Sequence, residues 1–572
     1  MIQGNKAIRR LADVSIILIA ALLLAGVIVD RLLPVLLFYV AKGRYAEMAA
    51  ECEQAKSARE LIPSRLTDDG EAETALRKSV RVQTSNCTHQ EALKSVLISW
   101  GVRESTLRAL ELEIVTRPTA GRTDRKQNPL AVWLSAATRL ILPDTVDRDL
   151  ARAVREFNIR PLEVHRFEAD PKFKLGQALF FDPILSGPRN VSCATCHLMA
   201  YGTSDGLAHS IGVGGDGLGP IRRMARKTDE HIRNALDLWN RDNNAVRSLF
   251  WDGRVEIVDP EGRVFRSPLG RDLPKGLDNA LAVQALFPLV TPDEMLGYPN
   301  DRSAADLPAG HAGLANELGR SLQSGSDGSH IQDAHNRIMR RLLGTENKAV
   351  WQKAYVSLFR EAYPRRTEFS IVDLANAIAH FEEMAFATRD SLWERHLLGD
   401  TSALSVEGRR GAVIFYGKGR CVVCHRGSLF SDFSYHSIGV FGTWPTDRAE
   451  DLGRWNATRV DKDRYKFRTP PLRNVTKTAP YFHDGSERTL TGAIERHLDP
   501  LSRSTKYNPD GSFAMTVKQI DAISPILLPR IEVSDREVDD IIAFLTSLEF
   551  EPNDLDAIIP RSVPSGLPAA YR

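Results

Sequence analysis

Two five-residue strings, Cys193-Ala-Thr-Cys196-His197 and Cys421-Val-Val-Cys424-His425, share the pattern CxxCH. That pattern attaches a c-type haem. Its spacing lets two thiols reach the two vinyl groups of one porphyrin as thioethers. The adjacent histidine then lies under the iron as its proximal ligand. A thioredoxin-like redox pair or half of a zinc site also uses paired cysteines. Neither needs histidine directly after the second cysteine, twice, with four of only six cysteines committed. The residues therefore specify two covalently bound haem c groups.

The segments that must position these motifs repeat as well. Gly176-Gln-Ala-Leu-Phe180-Phe181 precedes the first motif, and Gly411-Ala-Val-Ile-Phe415-Tyr416 precedes the second. Both read as a helix with aromatics on one face, leading through a glycine-containing loop to CxxCH. The repetition implies two helical haem domains of the cytochrome c type, related by duplication. Residues 371–388 form an amphipathic pattern. Ser534-Asp-Arg-Glu537 is a capping box, followed by Val538, Ile541, Ile542, Leu545 and Leu548 at helical spacing. That is the expected closing helix of the second haem domain. Residues 301–336, rich in Gly, Ser and Asp, read as a surface insertion, and 501–512 as another loop. Residues 551–572 carry four prolines and read as an extended arm over the surface.

A chain of 572 residues is too long for one simple domain and implies about three or four. Net charge is only +2, so no nucleic-acid partner is implied. Residues 11–29 are apolar except for Asp13 and Ser15; as a helix they span roughly 28 Å, close to a bilayer's hydrocarbon core. Lys6, Arg9 and Arg10 precede them, which keeps the N-terminus cytoplasmic. A second apolar run covers 32–41. A cleaved signal peptide also begins with a basic stretch, yet no clean small-x-small site follows, so the pattern favours an uncleaved anchor. Haem c is attached on the far side of the bacterial membrane, which places the catalytic domains in the periplasm. In that oxidising compartment the two spare cysteines, Cys52 and Cys87, are expected to pair. They sit in or beside helical segments, 45–61 and 91–100. The expected fold is thus mainly α: a cytoplasmic N-terminus and transmembrane anchor (1–41), an extra helical domain (42–165), an N-terminal haem domain (166–400), a C-terminal haem domain (401–550) and a tail (551–572).

Beyond CxxCH, residues from about 173 to 550 resemble the bacterial dihaem cytochrome c peroxidase and MauG family. The resemblance rests on several strings. Leu175-Gly-x-x-Leu-Phe-Phe-Asp182-Pro-x-Leu-Ser186 leads into the first motif. Arg233-Asn234, Leu238-Trp239-Asn240 and Phe250-Trp251-Asp252-Gly253-Arg254 follow it. Pro470-Pro-Leu-Arg473-Asn474 and Thr478-Ala-Pro480-Tyr481-Phe482-His483-Asp484-Gly485 follow the second and are the most diagnostic. Residues 41–165 have no counterpart in the resemblance.

The resemblance implies a division of labour. The haem on His197 is the peroxide site, and the haem on His425 receives electrons. Trp251 lies between them and carries electrons across. Glu294-Met295, with Gln284 ten residues earlier, matches the family's acid/base pair. A calcium ion between the domains is implied at Asn234, Thr478 and Pro480, and His483 is implied as a pocket residue near the second haem; His209, His231 and His436 receive no role. Many family peroxidases place a capping histidine after Ser-Ile-Gly; here Ser210-Ile211-Gly212 is followed by Val213, which cannot ligate iron. The second haem's distal ligand in the family lies fourteen residues after the His of His-Asp-Gly. Counting from His483 gives His497, and hence a His425/His497 pair. The function implied is reduction of hydrogen peroxide with electrons from a cytochrome c, cupredoxin or quinol, in a chain that is commonly a homodimer. The alternatives are a MauG-like oxidase acting on a protein or organic substrate through high-valent haem, and a non-enzymatic membrane-tethered electron carrier.

Overall fold

The computed structural model describes residues 45–46, 48–50, 52, 70–99, 102, 104, 106–108, 146–163, 167–224, 233–299, 315–323, 329–344, 349–388, 390–441, 450–501, 515–528, 530–552 and 555–569. The apolar segment at 11–29, expected to be an anchor, lies outside them. Among the described residues no helix is long and apolar enough to cross a membrane. The described chain is mainly helical, with strands of only two or three residues. Its contacts divide it into two compact units: residues 1–158 with 413–423, and 159–412 with 424–572.

The first unit holds helices α1 (Gly70–Ser99) and α2 (Val146–Glu156). Tyr45, Met48, Leu93, Leu97, Val102 and Leu107 form its small core. Cys52 and Cys87 are joined as a disulfide. The expected helix beginning after Cys87 is part of a longer one, so Cys87 sits inside α1 rather than ahead of it. Ser79 on α1 donates its hydroxyl to the carbonyl of Gly417 at 2.6 Å, on the loop that leads to Cys421.

The second unit contains α3 (Pro171–Phe181), α4 (Ala280–Val290), α5 (Ser329–Leu343), α6 (Val350–Ala362) and α7 (Ile371–Ala385). After these come α8 (Val406–Tyr416), whose last turn belongs to the first unit, α9 (Leu490–Leu498) and α10 (Asp535–Thr546). Capping explains where several of them start. Asp170 accepts the Phe173 amide at 2.7 Å ahead of α3, and Pro171 at the first helical position has no amide to satisfy. Asn279 accepts from Ala282 at α4. The sequence-expected box at Ser534 and Glu537 starts α10.

The internal repeat has a packing cause. A Cβ on Gly176 of α3 would sit 1.9 Å from the Ala377 carbonyl of α7, and one on Gly411 of α8 would sit 1.8 Å from the Asp540 carbonyl of α10. In each half, the helix before the haem motif crosses the closing helix at a distance only glycine permits. Phe180 and Phe381 meet with ring centroids 5.0 Å apart, and Phe381 and Phe386 at 5.6 Å. Each such buried ring contributes roughly 2 kcal/mol of apolar burial.

Two expectations require correction. Residues 301–336 do not form a single surface insertion, because 329 onward is α5, with Ala334 and His335 buried in the unit. Nor is the tail simply an extended arm over the surface. Residues Leu555–Ile558 form a helical turn whose Ala557 and Ile558 carbonyls accept from Gln177 at 2.8 and 2.9 Å. Ser565 hydrogen-bonds Asp182 at 2.6 Å, and Ile558 and Val563 join the main core.

Candidate active site

The first CxxCH folds as one helical turn, Cys193–Cys196, started by a box in which the Ser192 amide donates to Thr195 Oγ1 at 3.0 Å. Positions three apart on a helix share a face, so both thiols turn the same way. The histidine that follows is fixed by a different device. His197 Nδ1 donates to the Thr203 carbonyl at 2.9 Å, and Thr203 has a φ of 66°. The second motif repeats it: His425 Nδ1 donates to the Phe430 carbonyl at 2.9 Å, and Phe430 has a φ of 56°. In both, a left-handed residue five or six positions on aims its carbonyl back at the ring. That bond assigns the proton to Nδ1 and leaves the Nε2 lone pair for a metal.

Cys193, Cys196 and His197 line one cavity of about 390 Å³, within the usual range for a ligand or cofactor site. Burial pushes the Cys193 thiol up to about 12, with Glu382 adding to it, and burial raises Cys196 further. The arrangement fits two neutral sulfurs and one imidazole facing a porphyrin.

Gln284, Glu294, Met295 and Trp251 line the same cavity, so the residues expected to act on peroxide share the space with His197. Gln284 lies on α4. Glu294 and Met295 lie on a widened turn, Pro292–Leu296, of the kind often found at functional sites. A Cβ on Gly212 would stand 1.9 Å from the Asp293 carbonyl of that turn, and the Val213 amide donates to the same carbonyl at 3.1 Å. The Ser210–Val213 strand of chain is thereby held against the Glu294 turn. Val213 itself is 1% exposed and packs into the core. His209 is not among the residues that line the cavity.

Trp251 donates its indole N–H to the Asn234 carbonyl at 3.0 Å. The Asn234 amide donates to the His483 carbonyl at 2.7 Å. The His483 ring stands edge-on to Trp251 with centroids 6.4 Å apart and lies flat on Phe467 at 3.5 Å. These rings form a continuous π path. Burial drives the His483 imidazole down to about 4, so it is neutral. Arg233 braces the path, binding Asp451 through two bonds of 2.8 Å and Asp252 through one of 2.7 Å.

His497, on α9, faces His425. The ring centroids are 6.2 Å apart, and His497 Nδ1 donates to the Ala493 carbonyl at 2.8 Å. Two metal–imidazole bonds of about 2 Å each, plus the half-widths of two rings, need a separation of this size. Burial lowers the pKa of both imidazoles, which favours the neutral ligand form.

The expected calcium residues are only partly assembled. Asn234 turns its Nδ2 toward the carbonyls of Leu207 and Pro480 at 2.8 and 3.2 Å, and the Thr478 hydroxyl is spent on Val475 at 3.1 Å. A nitrogen, not a cation-binding oxygen, sits between the carbonyls. Cys424, Asp432 and His436 offer ligand atoms within 4.8 Å of one another. Asp432 is already held by His436 at 3.0 Å and Arg426 at 3.4 Å, and thioether formation would remove Cys424 as a thiolate.

Sequence reading missed Glu382. It lines the His197 cavity from α7, and burial, with help from Glu383, pushes its carboxyl up to about 8. The signal was present: position 382 follows Ile371, Leu374, Ala375 and Ile378 on the core-facing stripe, where a carboxyl group has no structural reason to stand.

A family model described as di-haem cytochrome c peroxidase matches residues 170–402. The methylamine utilization protein MauG of Methylorubrum extorquens is 29% identical over 428 residues, covering 74% of this chain and 91% of that protein. The cytochrome c551 peroxidase of Nitrosomonas europaea is 28% identical over 352 residues, covering 62% and 80%. Its counterpart in Pseudomonas aeruginosa is 28% identical over 371 residues, covering 64% and 82%. Together with both haem-attachment motifs, these similarities support a dihaem cytochrome c peroxidase and MauG family and a dihaem peroxidase or oxidase activity.

Proposed function

We propose that the protein reduces hydrogen peroxide in the His197 cavity with electrons received at the His425 haem. The observation that carries this reading is the convergence of Cys193, Cys196, His197, Gln284, Glu294 and Trp251 on one cavity. Haem c supplies, when bound there, a redox-active iron with a position open to peroxide. The protein residues do the rest. His197, oriented by Thr203, presents Nε2 to the metal. Glu294 takes a proton from one peroxide oxygen and returns it to the leaving one. Gln284, whose Oε1 is buried without a partner, orients the incoming molecule. Glu382, a neutral acid in the same cavity, keeps a proton in store. Trp251, His483 and Phe467 provide the route for electrons, and His425 with His497 holds the second iron. A membrane anchor at 11–29, a periplasmic location and a homodimer belong to this proposal without a role in the chemistry.

The second reading, a MauG-like oxidase, is favoured by two observations. Val213 has no lone pair to close the peroxide site, and a bis-imidazole second haem has a lower potential than a His/Met one. A high-potential cytochrome c is then a poor donor, and a quinol or an oxidisable protein substrate suits the site better. Turnover assays separate the two. Rapid peroxide reduction with reduced cytochrome c or quinol supports the first, and slow turnover with every donor supports the second. A purified holoprotein with both haems six-coordinate, whose spectrum is unchanged by peroxide, overturns both and leaves an electron carrier.

A further inference from the structure

Arg222 is only 3% exposed, yet it is not among the residues that line the His197 cavity. It belongs to a short hairpin in which Gly215 pairs with Met224 and Asp216 with Arg223. Its amide donates to the Gly219 carbonyl at 2.9 Å and its Nη1 to the Gly217 carbonyl at 2.8 Å, both within that hairpin. The other two nitrogens reach out of it. Nε donates to the Ile211 carbonyl at 2.7 Å and Nη2 to the Gly212 carbonyl at 2.6 Å. One planar fork thus spans two successive carbonyls, on the stretch of chain where Ser210 and Gly212 line the cavity. Gly215 leaves room for the fork, since a Cβ there would stand 2.5 Å from Arg222 Nε.

The next residue is gripped from two other sides. Asn190 Nδ2 donates to the Val213 carbonyl at 2.9 Å, and the Val213 amide donates to the Asp293 carbonyl at 3.1 Å. Asp293 is itself braced, because the Tyr298 hydroxyl donates to its carboxylate at 2.7 Å. For this stretch to swing away from the cavity, the bonds at 211, 212 and 213 have to break together. The guanidinium would then be left buried with unmade donors, and burial already opposes its charge. A buried donor that loses its partner costs far more than the net worth of the bond itself. Movement would also deliver nothing from Val213, which has no ligand atom.

We propose that Arg222 is a positioning residue that fixes Ser210–Val213 against the Glu294 turn in every redox state, so that peroxide reaches the His197 cavity without a gating movement of this stretch. The proposal rests on the reading of that cavity as the peroxide site. Its structural part, a pinned stretch that does not respond to haem reduction, is measurable without turnover. Failure of the clamp and failure of the peroxide reading are therefore distinguishable.

Holoprotein, wild type and Arg222→Met, is compared by three measurements. Hydrogen exchange of the peptide containing residues 210–213 reports the pinning. Electron paramagnetic resonance reports the first haem of the ferric protein, and stopped flow reports its reaction with peroxide. The wild-type peptide is expected to be equally protected in the ferric and the dithionite-reduced protein. In Arg222→Met its exchange is expected to quicken and the first haem's signal to broaden or split, with the second haem's signal unchanged. The reaction with peroxide is expected to slow by about tenfold to a hundredfold, as a misplaced distal group would cause. Loss of protection on reduction of the wild type overturns the proposal. So does wild-type exchange in the variant, or quicker exchange with both the first-haem signal and the peroxide rate unchanged. A wild type that does not react with peroxide sinks the peroxide reading, and exchange with the first-haem signal still decides the clamp. If Arg222→Met does not accumulate, Arg222→Lys, which keeps the charge and loses the fork, is judged by the same criteria.

Discussion

The rings of His425 and His497 face each other across 6.2 Å, each with Nδ1 committed to a main-chain carbonyl. Both Nε2 lone pairs thus point into one gap, from two elements more than seventy residues apart in sequence. Replacing His497 by Ala removes one of them. The expected result is conversion of the second haem from low to high spin, or recruitment of a new ligand, with a changed potential. Visible spectra and a redox titration of the variant check it. An unchanged low-spin spectrum and an unchanged potential would show that another side chain is the ligand.

Val213 predicts the opposite state for the first haem. With an apolar side chain buried beside the Glu294 turn, and no imidazole besides His197 among the described residues that line the cavity, the oxidised protein is expected to show a high-spin ferric signal. It is also expected to react with peroxide before any reduction. Electron paramagnetic resonance of the resting protein decides this, and a spectrum containing only low-spin iron refutes it.

Glu294→Gln keeps the size and polarity of the side chain but not its basicity. Peroxide turnover is expected to fall by about 10²–10⁴, the usual worth of a positioned acid/base group. The resting haem spectra should stay as they are, because Glu294 touches proton transfer and not attachment. Steady-state and single-turnover rates measured side by side check this. A variant with full activity moves the acid/base role elsewhere, with Glu382 the next candidate.

Arg233 sets an acid limit on the fold. Burial opposes the charges of Asp252 and Asp451, yet the Arg233 guanidinium holds both carboxyls below their usual value. A carboxyl depressed in the folded state contributes its stability above the unfolded value of about 4 and loses it as pH falls through the folded value. Thermal melts should therefore be flat in this contribution near neutrality and drop steeply below about pH 4. Asp451→Asn, which leaves Arg233 buried with one carboxylate, is expected to cost about 3–5 kcal/mol and to flatten that acid dependence. An acid profile identical to wild type would place the titration in other groups.

What could be read from the sequence follows from the range of the interactions involved. The attachment of both haems is legible because thiol spacing and the adjacent histidine are local chemistry. The repeated helix before each motif is legible because Gly176 and Gly411 answer the same close crossing. The capping box at Ser534 is legible because its bonds span three residues. Thr203 and Phe430 gave no signal, since nothing in either side chain announces a left-handed backbone. α5 was hidden by the polar composition ahead of it, and its buried His335 looks no different in sequence from a surface histidine. Glu382 was visible only as a misplaced charge on an apolar stripe.

The bonds from Gln177 to Ala557 and from Asp182 to Ser565 bear on the order in which the molecule is made. They join positions 380 and 383 residues apart. Contacts of such separation form late, because the intervening chain must first be closed into a loop. The core around α3 therefore lacks Ile558 and Val563 until nearly the whole chain has been synthesised. The C-terminal segment thus completes the core around α3, which is closed only when the two ends of this long loop are joined.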